Sequence, residues 1–214
     1  MPLPMVHLLL AEKIGQLAGK EPDAYFLLGS IAPDAIHMRS GSVRKDKHRT
    51  HFFGGKQWDA VEIQNHWNHI LKKLNSHENR SPQEQSFFTG YCFHTLLDMI
   101  WIVEVFNVLE RTLRAGGMGF EYIRSKYYAE TDACDVFLYQ NTTWAKNVRE
   151  KLVGVSALEL EGVLTAEEIL KWKNVVLSKM ERYETAAFQE PFYINPKNIE
   201  KILDDLAKKV YRLL

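Results

Sequence analysis

The histidines of this chain lie toward one end of the sequence. All eight fall within the first 94 of its 214 residues, and the last of them, His94, precedes Asp98 by four residues. On a helix, side chains four residues apart project from one face, about 6 Å apart along the axis, and can share one cation. Composition alone is expected to give about 0.3 such pairs, so the pair indicates a metal site only together with its surroundings.

The segment that carries this pair is apolar on nearly every side, as in a buried helix. Its apolar residues are Phe93, Leu96, Leu97, Met99, Ile100, Trp101, Ile102 and Val103. An ionised carboxylate buried there costs several kcal/mol unless a metal, a cationic residue or several donors compensate it. We expect a metal to do so; a buried histidine with a hydrogen-bonded partner is the alternative.

Length and composition limit the possible classes of protein. With 46% hydrophobic and 25% charged residues, the chain can form one large domain over residues 1–214, with the site in residues 1–114 and a helical packing half in 115–214. Equal numbers of basic and acidic residues give no net charge, so nucleic acid is not an expected partner. Two cysteines argue against a disulfide framework and a thiolate zinc site.

No segment of the sequence predicts a transmembrane helix. The apolar run Met5–Ala11 is broken by His7 and followed by Glu12 and Lys13, which makes it too short to span a bilayer, and it lacks a cleavable signal pattern. We therefore expect a cytoplasmic protein. The sequence does not indicate an oligomeric state.

The first half of the chain alternates helices with turn-forming segments. The apolar pattern predicts a first helix over residues 4–18 and another from Gln57 to about Ser76. Between them, Gly29–Asp34 reads as a turn and Arg39–Arg49 as a solvated loop, with contact to an anionic substrate as the alternative for its basic residues. Ser81 and Pro82 should begin a further helix that ends near Arg114.

Helical patterns also cover the second half. They span residues 120–130, 133–153, 165–188 and 195–213, and Thr165 with Glu168 forms a capping-box signature at the start of the third. No alternating strand pattern and no repeat occurs. The sequence predicts an all-α, multi-helix bundle.

Five residues form the candidate site: His7, Asp34, His51, His94 and Asp98. Imidazole and carboxylate donors without thiolate suit zinc, and also manganese, iron or nickel. A shared carboxylate such as Asp98 can bridge two ions, and two ions at close range form a clamp for phosphoryl chemistry. Asp34 has an alternative role, because after Pro33 it could cap a short helix.

The order of these motifs resembles the zinc-dependent phospholipase C family, which is related in fold to single-strand-specific zinc nucleases. The resemblance covers about residues 5–105 and consists of an early histidine, Gly-Ser-Ile-Ala-Pro-Asp, a His-Phe pair and Gly-Tyr-x-x-His-x-x-x-Asp. It implies that His51, His94 and Asp98 hold one metal. It further implies that His7 and a bridging Asp98 help to hold a second, and that Asp34 is a ligand or general base.

The chain also departs from that family. Members with three zinc ions take two further histidines and a glutamate from positions beyond the His-x-x-x-Asp pair, and this chain has no histidine after His94. We therefore expect one or two ions. Glu104 could replace one of those ligands, but a helix-surface role is favoured, and His66 and His69 are interpreted as exposed or core-edge residues rather than as a metal pair.

Together these features predict a metal-dependent hydrolase of phosphoric esters. The expected substrate is a small or lipid-like phosphodiester, attacked by metal-activated water that Asp34 positions or deprotonates. The alternative is a binding or interaction module that is stabilised by metal but performs no turnover.

Overall fold

The computed structural model describes residues 2–53, 60–76 and 80–213. Over these residues it is all-helical, as the sequence predicts, and the only extended pairing is an isolated bridge between Leu160 and Leu164. The α-helices are α1 (Pro4–Leu17), α2 (Ala24–Ile31), α3 (Arg44–Thr50), α4 (Ala60–Leu74), α5 (Pro82–Trp101), α6 (Asn107–Ala115), α7 (Phe120–Gln140), α8 (Trp144–Gly154), α9 (Ala166–Thr185) and α10 (Pro196–Tyr211). A 3₁₀ helix, Ala32–Met38, follows α2 directly, and a π-helical segment, Ile102–Phe106, joins α5 to α6.

Two helix starts are confirmed with their capping chemistry. The Ser81 side chain accepts the backbone N–H of Glu84, whose carboxylate accepts the N–H of Ser81, at the start of α5. Thr165 and Glu168 form the same reciprocal pair at the start of α9. Each box satisfies two amide groups that a helix start leaves without an internal partner.

The turn predicted at Gly29–Asp34 is wrong, because α2 continues through Gly29 and the chain stays helical to Met38. The physical reason is close packing of α2 against α5. A side-chain carbon on Gly29, or on Gly90 of α5, would collide with the backbone of the opposite helix. The glycine is therefore needed for helix approach rather than for a turn.

Two other boundaries differ from the sequence predictions, and a third is not tested by the described residues. Residues 39–49 are not all loop, because α3 begins at Arg44. The predicted break after residue 130 is wrong, since α7 continues to Gln140. The helix predicted from Gln57 is observed from Ala60, and its predicted start lies outside the described residues.

The helices of the second half pack on those of the first. α2 has its main contact with α5, and α1 lies between α2 and α10. α9 packs against the 3₁₀ helix and α7. Apolar side chains from all these helices form one buried cluster, so the N-terminal elements that carry the candidate site are held from both sides.

One helical stretch of the described chain, Pro82–Ala115, is long and apolar enough to cross a membrane by length and composition. The remainder of the fold buries 61% of its apolar window. Such burial is typical of the core helix of a folded domain, so the length and apolar composition of this stretch are only weak evidence that it spans a membrane.

Candidate metal centre

The fold brings all five candidate residues together in its interior. They come from four elements: α1, the 3₁₀ helix, the end of α3, and α5. Two overlapping groups have their potential ligand atoms within 4.8 Å of one another, namely His7, His94 and Asp98, and Asp34, His51 and His94. Each member is buried. Their assignment as metal ligands stays a prediction that this convergence supports.

Asp98 lies at the centre of three imidazoles. Its carboxylate oxygens are 3.1 Å from Nε2 of His51, 3.5 Å from Nε2 of His7 and 3.7 Å from Nε2 of His94. Despite these distances, neither oxygen forms a geometrically acceptable hydrogen bond with any described residue. A buried carboxylate in this state is costly unless a cation joins it.

Backbone carbonyl groups orient two of the imidazoles. Nδ1 of His94 lies 2.8 Å from the carbonyl oxygen of Ser30, and Nδ1 of His51 lies 3.0 Å from that of Lys47. Because a carbonyl oxygen only accepts, each of these contacts places a proton on Nδ1, and in the neutral ring Nε2 then presents its lone pair to the cluster. Histidines that bind metals are commonly held in this way by their other nitrogen.

His7 lies against His94 rather than against a hydrogen-bonding partner. The two rings are stacked, with centroids 3.7 Å apart and planes 5° from parallel. Neither ring nitrogen of His7 has a hydrogen-bond partner among the described residues. Burial, followed by the effect of His94, holds the pKa of His7 well below its ordinary value, so the ring is neutral and its nitrogen is free to coordinate.

The remaining titratable groups are also close to the states that bind metal. Burial would raise the pKa of both aspartates, but Lys47 lowers that of Asp34 and His94 with His51 lowers that of Asp98. Burial lowers the pKa of His94. Burial would lower that of His51 too, but the two carboxylates outweigh it and raise the pKa. Metal uptake at His51 would therefore compete with a proton.

The position of His51 depends on how α3 ends. His51 follows Thr50 as the C-cap, and Phe52 adopts a left-handed backbone conformation with φ of 54°. The N–H of Phe53 then bonds to the carbonyl of His48, which closes the helix in the manner usually allowed by glycine. Tyr91 of α5 donates its hydroxyl to the carbonyl of Thr50, tying this end of α3 to the helix that carries His94.

The structure rejects the capping role considered for Asp34. The 3₁₀ helix has no side-chain cap, and Asp34 lies inside its first turn. Its Oδ1 instead accepts from Nζ of Lys47 at 2.9 Å and lies 3.6 Å from Nε2 of His51. The side chain therefore faces the cluster.

The basic stretch divides into structural and site-facing residues. Arg39 bonds to the Glu168 carboxylate and to the carbonyl of Val163, and Arg49 donates to the carbonyl of Gly162. These two arginines hold the 160–168 region against the first half of the chain. Lys47 reaches the cluster by donating to Asp34, and contact of the stretch with an anionic substrate stays a prediction.

Three side chains near the region do not join the cluster. His66 is buried and its pKa falls to about 4, chiefly through burial, whereas His69 is exposed. One histidine is buried and the other exposed, which agrees with their interpretation as exposed or core-edge residues. Glu104 is exposed in the π-helical segment, which agrees with its assignment to the helix surface.

The donor set fits one divalent cation well. Asp34, His51 and His94 form one of the two groups, and an oxygen of Asp98 lies 3.1 Å from Nε2 of His51. Together they offer oxygen and imidazole ligands and no thiolate, as zinc accepts. His94 has a single free lone pair, so it can serve only one ion. A second ion would have His7 and the other oxygen of Asp98, which is an incomplete set within the described residues.

Comparison with known proteins agrees with this geometry. The sequence profile described as zinc dependent phospholipase C matches residues 3–154, from the start of α1 to the end of α8. No curated protein and no solved structure gives a significant match. Because the matched region covers well over half of the chain and contains every residue of the cluster, the chain belongs to the zinc-dependent phospholipase C family.

Proposed function

We propose that this protein is a metal-dependent hydrolase of phosphoric esters that acts on a small or lipid-like phosphodiester. The observation that carries the proposal is the buried Asp98 carboxylate, which faces three imidazoles, the nearest at 3.1 Å, yet forms no hydrogen bond of good geometry with the described residues. A divalent cation satisfies these groups at once. Family membership supports zinc as that cation; manganese, nickel and iron remain chemically acceptable.

The residues would hold the ion as follows. Asp34, His51, His94 and Asp98 would bind the first ion, and His7 with Asp98 would help to bind a second. A bound divalent ion lowers the pKa of water toward neutrality and stabilises charge on phosphoryl oxygens. This is the chemistry that hydrolysis of a phosphodiester requires.

Asp34 suits the role of ligand better than that of proton acceptor. Lys47 holds the pKa of its carboxyl well below the ordinary value, which makes the carboxylate a weak base. We therefore assign Asp34 to metal binding and to the orientation of the attacking water. Proton removal then depends on the lowered pKa of that water.

The experiment begins with protein freed of metal by chelation. Zinc, manganese or nickel is added while bound metal is measured by elemental analysis and turnover with bis(p-nitrophenyl) phosphate. We expect metal uptake and metal-dependent turnover, both of which are lost in His94→Ala. His69→Ala, which changes an exposed histidine on α4, is the matched control and should behave as the unmodified protein.

A metal-stabilised binding module is the second candidate, favoured by the incomplete ligand set for a second ion. It predicts stoichiometric metal and a melting temperature that rises with metal, but no turnover of any phosphoester. Absence of metal uptake above background would refute both candidates.

A further inference from the structure

Lys47 lies between the ligand cluster and the solvent. Its Nζ is 2.9 Å from Oδ1 of Asp34 and 3.1 Å from Nε2 of His37. Because an ammonium group only donates, this contact requires Nε2 of His37 to accept. The ammonium group therefore bridges a cluster carboxylate and a solvent-facing imidazole.

Side-chain exposure decreases in steps from this bridge inward. The exposed fractions are 49% for His37, 24% for Lys47, 11% for Asp34, 7% for His51, 4% for Asp98 and 1% for His94. A substrate that approaches the cluster along this gradient meets His37 and Lys47 before it meets the ligands. We refer to these two residues, the most exposed in this series of contacts, as the mouth of the site.

The mouth is held by the second half of the chain. Trp172 of α9 lies against His37, with ring centroids 5.9 Å apart. α9 also packs along the 3₁₀ helix that carries His37, and Arg39 links that helix to Glu168. α9 lies beyond the residues that match the family profile, so this wall belongs to the part of the chain that the comparison does not cover.

Charge at the mouth favours an anionic substrate. The carboxylates of Asp34 and Asp98 carry two negative charges, and Lys47 carries one positive charge. One bound divalent cation therefore leaves the site with one net positive charge, and a second would increase it. Without Lys47 these groups together with one ion would be neutral, so the ammonium group supplies the net positive charge among them.

We propose that Lys47 binds the anionic phosphoryl group at the mouth and makes the site selective for phosphoesters with a neutral or anionic head group over those with a quaternary ammonium group. This inference rests on the proposed hydrolase function and names its substrate class. His37 holds the ammonium group in place as an acceptor from its solvent side. Selectivity follows because a head-group cation beside Lys47 is repelled.

The kinetic test compares two diesters with the same leaving group, methyl p-nitrophenyl phosphate and p-nitrophenylphosphorylcholine. Lys47→Met should raise KM for the methyl ester and reduce its advantage in kcat/KM over the choline ester roughly tenfold. Lys47→Arg should keep the preference. Lys45→Met, which removes an exposed charge from the same helix, is the matched control and should leave the ratio unchanged.

The binding test does not require turnover. Calorimetric titration of the zinc-loaded protein with inorganic phosphate should show binding that Lys47→Met weakens roughly tenfold and that Lys45→Met leaves unchanged. If diesters are hydrolysed but neither the ratio nor phosphate binding depends on Lys47, the inference is overturned and the hydrolase function stands. If nothing is hydrolysed but phosphate binding depends on Lys47, the anion site stands and the hydrolase function fails.

An equal loss of kcat/KM for both diesters in Lys47→Met, with unchanged phosphate affinity, would show that Lys47 only positions Asp34. That outcome would also overturn the proposed selectivity. Far-ultraviolet circular dichroism and zinc stoichiometry of each variant exclude unfolding as the cause of a loss.

Discussion

Gly90→Ala should disturb the metal centre without changing any ligand. Gly90 of α5 lies against α2, where an added Cβ would be 2.2 Å from the carbonyl oxygen of Phe26. Ordinary van der Waals contact begins at 3.4 Å, so the two helices must separate locally by about 1.2 Å. The neighbouring atom belongs to helix backbone, which cannot rotate away as a flexible side chain could.

The expected losses of zinc affinity and stability follow from the residues that the two helices carry. α5 bears His94, and α2 bears Ser30, whose carbonyl accepts from Nδ1 of His94 at 2.8 Å; α2 also leads directly into the helix that bears Asp34. Metal-ligand distances tolerate only about 0.2 Å, and loss of one orienting hydrogen bond typically costs about 10- to 100-fold in metal affinity. Overpacking adds roughly 1–3 kcal/mol of destabilisation.

The assay measures melting temperature by fluorimetry, with and without zinc, and zinc affinity by competition with a chromogenic chelator. We expect a melting temperature lower by roughly 3–10 °C and zinc affinity lower by at least about tenfold. Gly154→Ala is the control, because a Cβ at this last residue of α8 meets nothing within 4 Å. It should leave zinc affinity unchanged and slightly raise the melting temperature.

A Gly90→Ala protein with unchanged melting temperature and unchanged zinc affinity would refute the reasoning. It would mean that α2 and α5 do not approach as closely as described, or that their spacing does not determine the geometry of the ligands. A lower melting temperature with unchanged zinc affinity would refute only the conclusion that the spacing of α2 and α5 determines the geometry of the ligands.

Three further predictions concern stability and ion number. Burial raises the pKa of Asp135 to about 8, above its value in an unfolded chain, so the folded state retains a proton that the unfolded state releases between about pH 4 and 8. Urea unfolding of Asp135→Asn, which keeps an acceptor for the N–H of Met5, should therefore show a stability gain over the unmodified protein that grows as the pH rises to 8; a gain independent of pH would contradict this. Arg39→Gln should lower the free energy of unfolding by about 1–2 kcal/mol through its charged hydrogen bonds to Glu168, while the ratio of diester kcat/KM values stays constant; a changed ratio would place Arg39 at the site. His7→Ala should still bind one zinc per chain in elemental analysis, because the first ligand set does not need it, and a value near zero would contradict that division.

Features that depend on neighbouring residues in sequence were predictable. The pair His94 and Asp98 is set by one turn of one helix, and the capping boxes at Ser81 and Thr165 are local hydrogen-bond patterns. His7, Asp34 and His51 could be grouped with that pair only through the family resemblance, because they lie on three other elements whose packing local periodicity does not reveal.

Features set by tertiary packing were not predictable. Gly29 looks like a turn residue in isolation, but its lack of a side chain allows α2 to lie against α5. Lys47 looks like one charge in a solvated stretch until α3 is folded against the 3₁₀ helix and brings it to Asp34. In the sequence Tyr91 resembles an ordinary core residue. Only the hydrogen bond from its hydroxyl to the carbonyl of Thr50 shows that it positions α3.

The cluster is unfavourable for folding unless a cation binds. Buried polar atoms without partners typically cost about 1–3 kcal/mol each, and Asp98 with its three surrounding imidazoles contributes several of them. A protein selected only for stability would replace such groups by apolar side chains, which often stabilises a buried charged cluster. Under the proposed function, retaining them keeps the ligands ordered before metal binds, and the free energy of metal binding then stabilises the folded state.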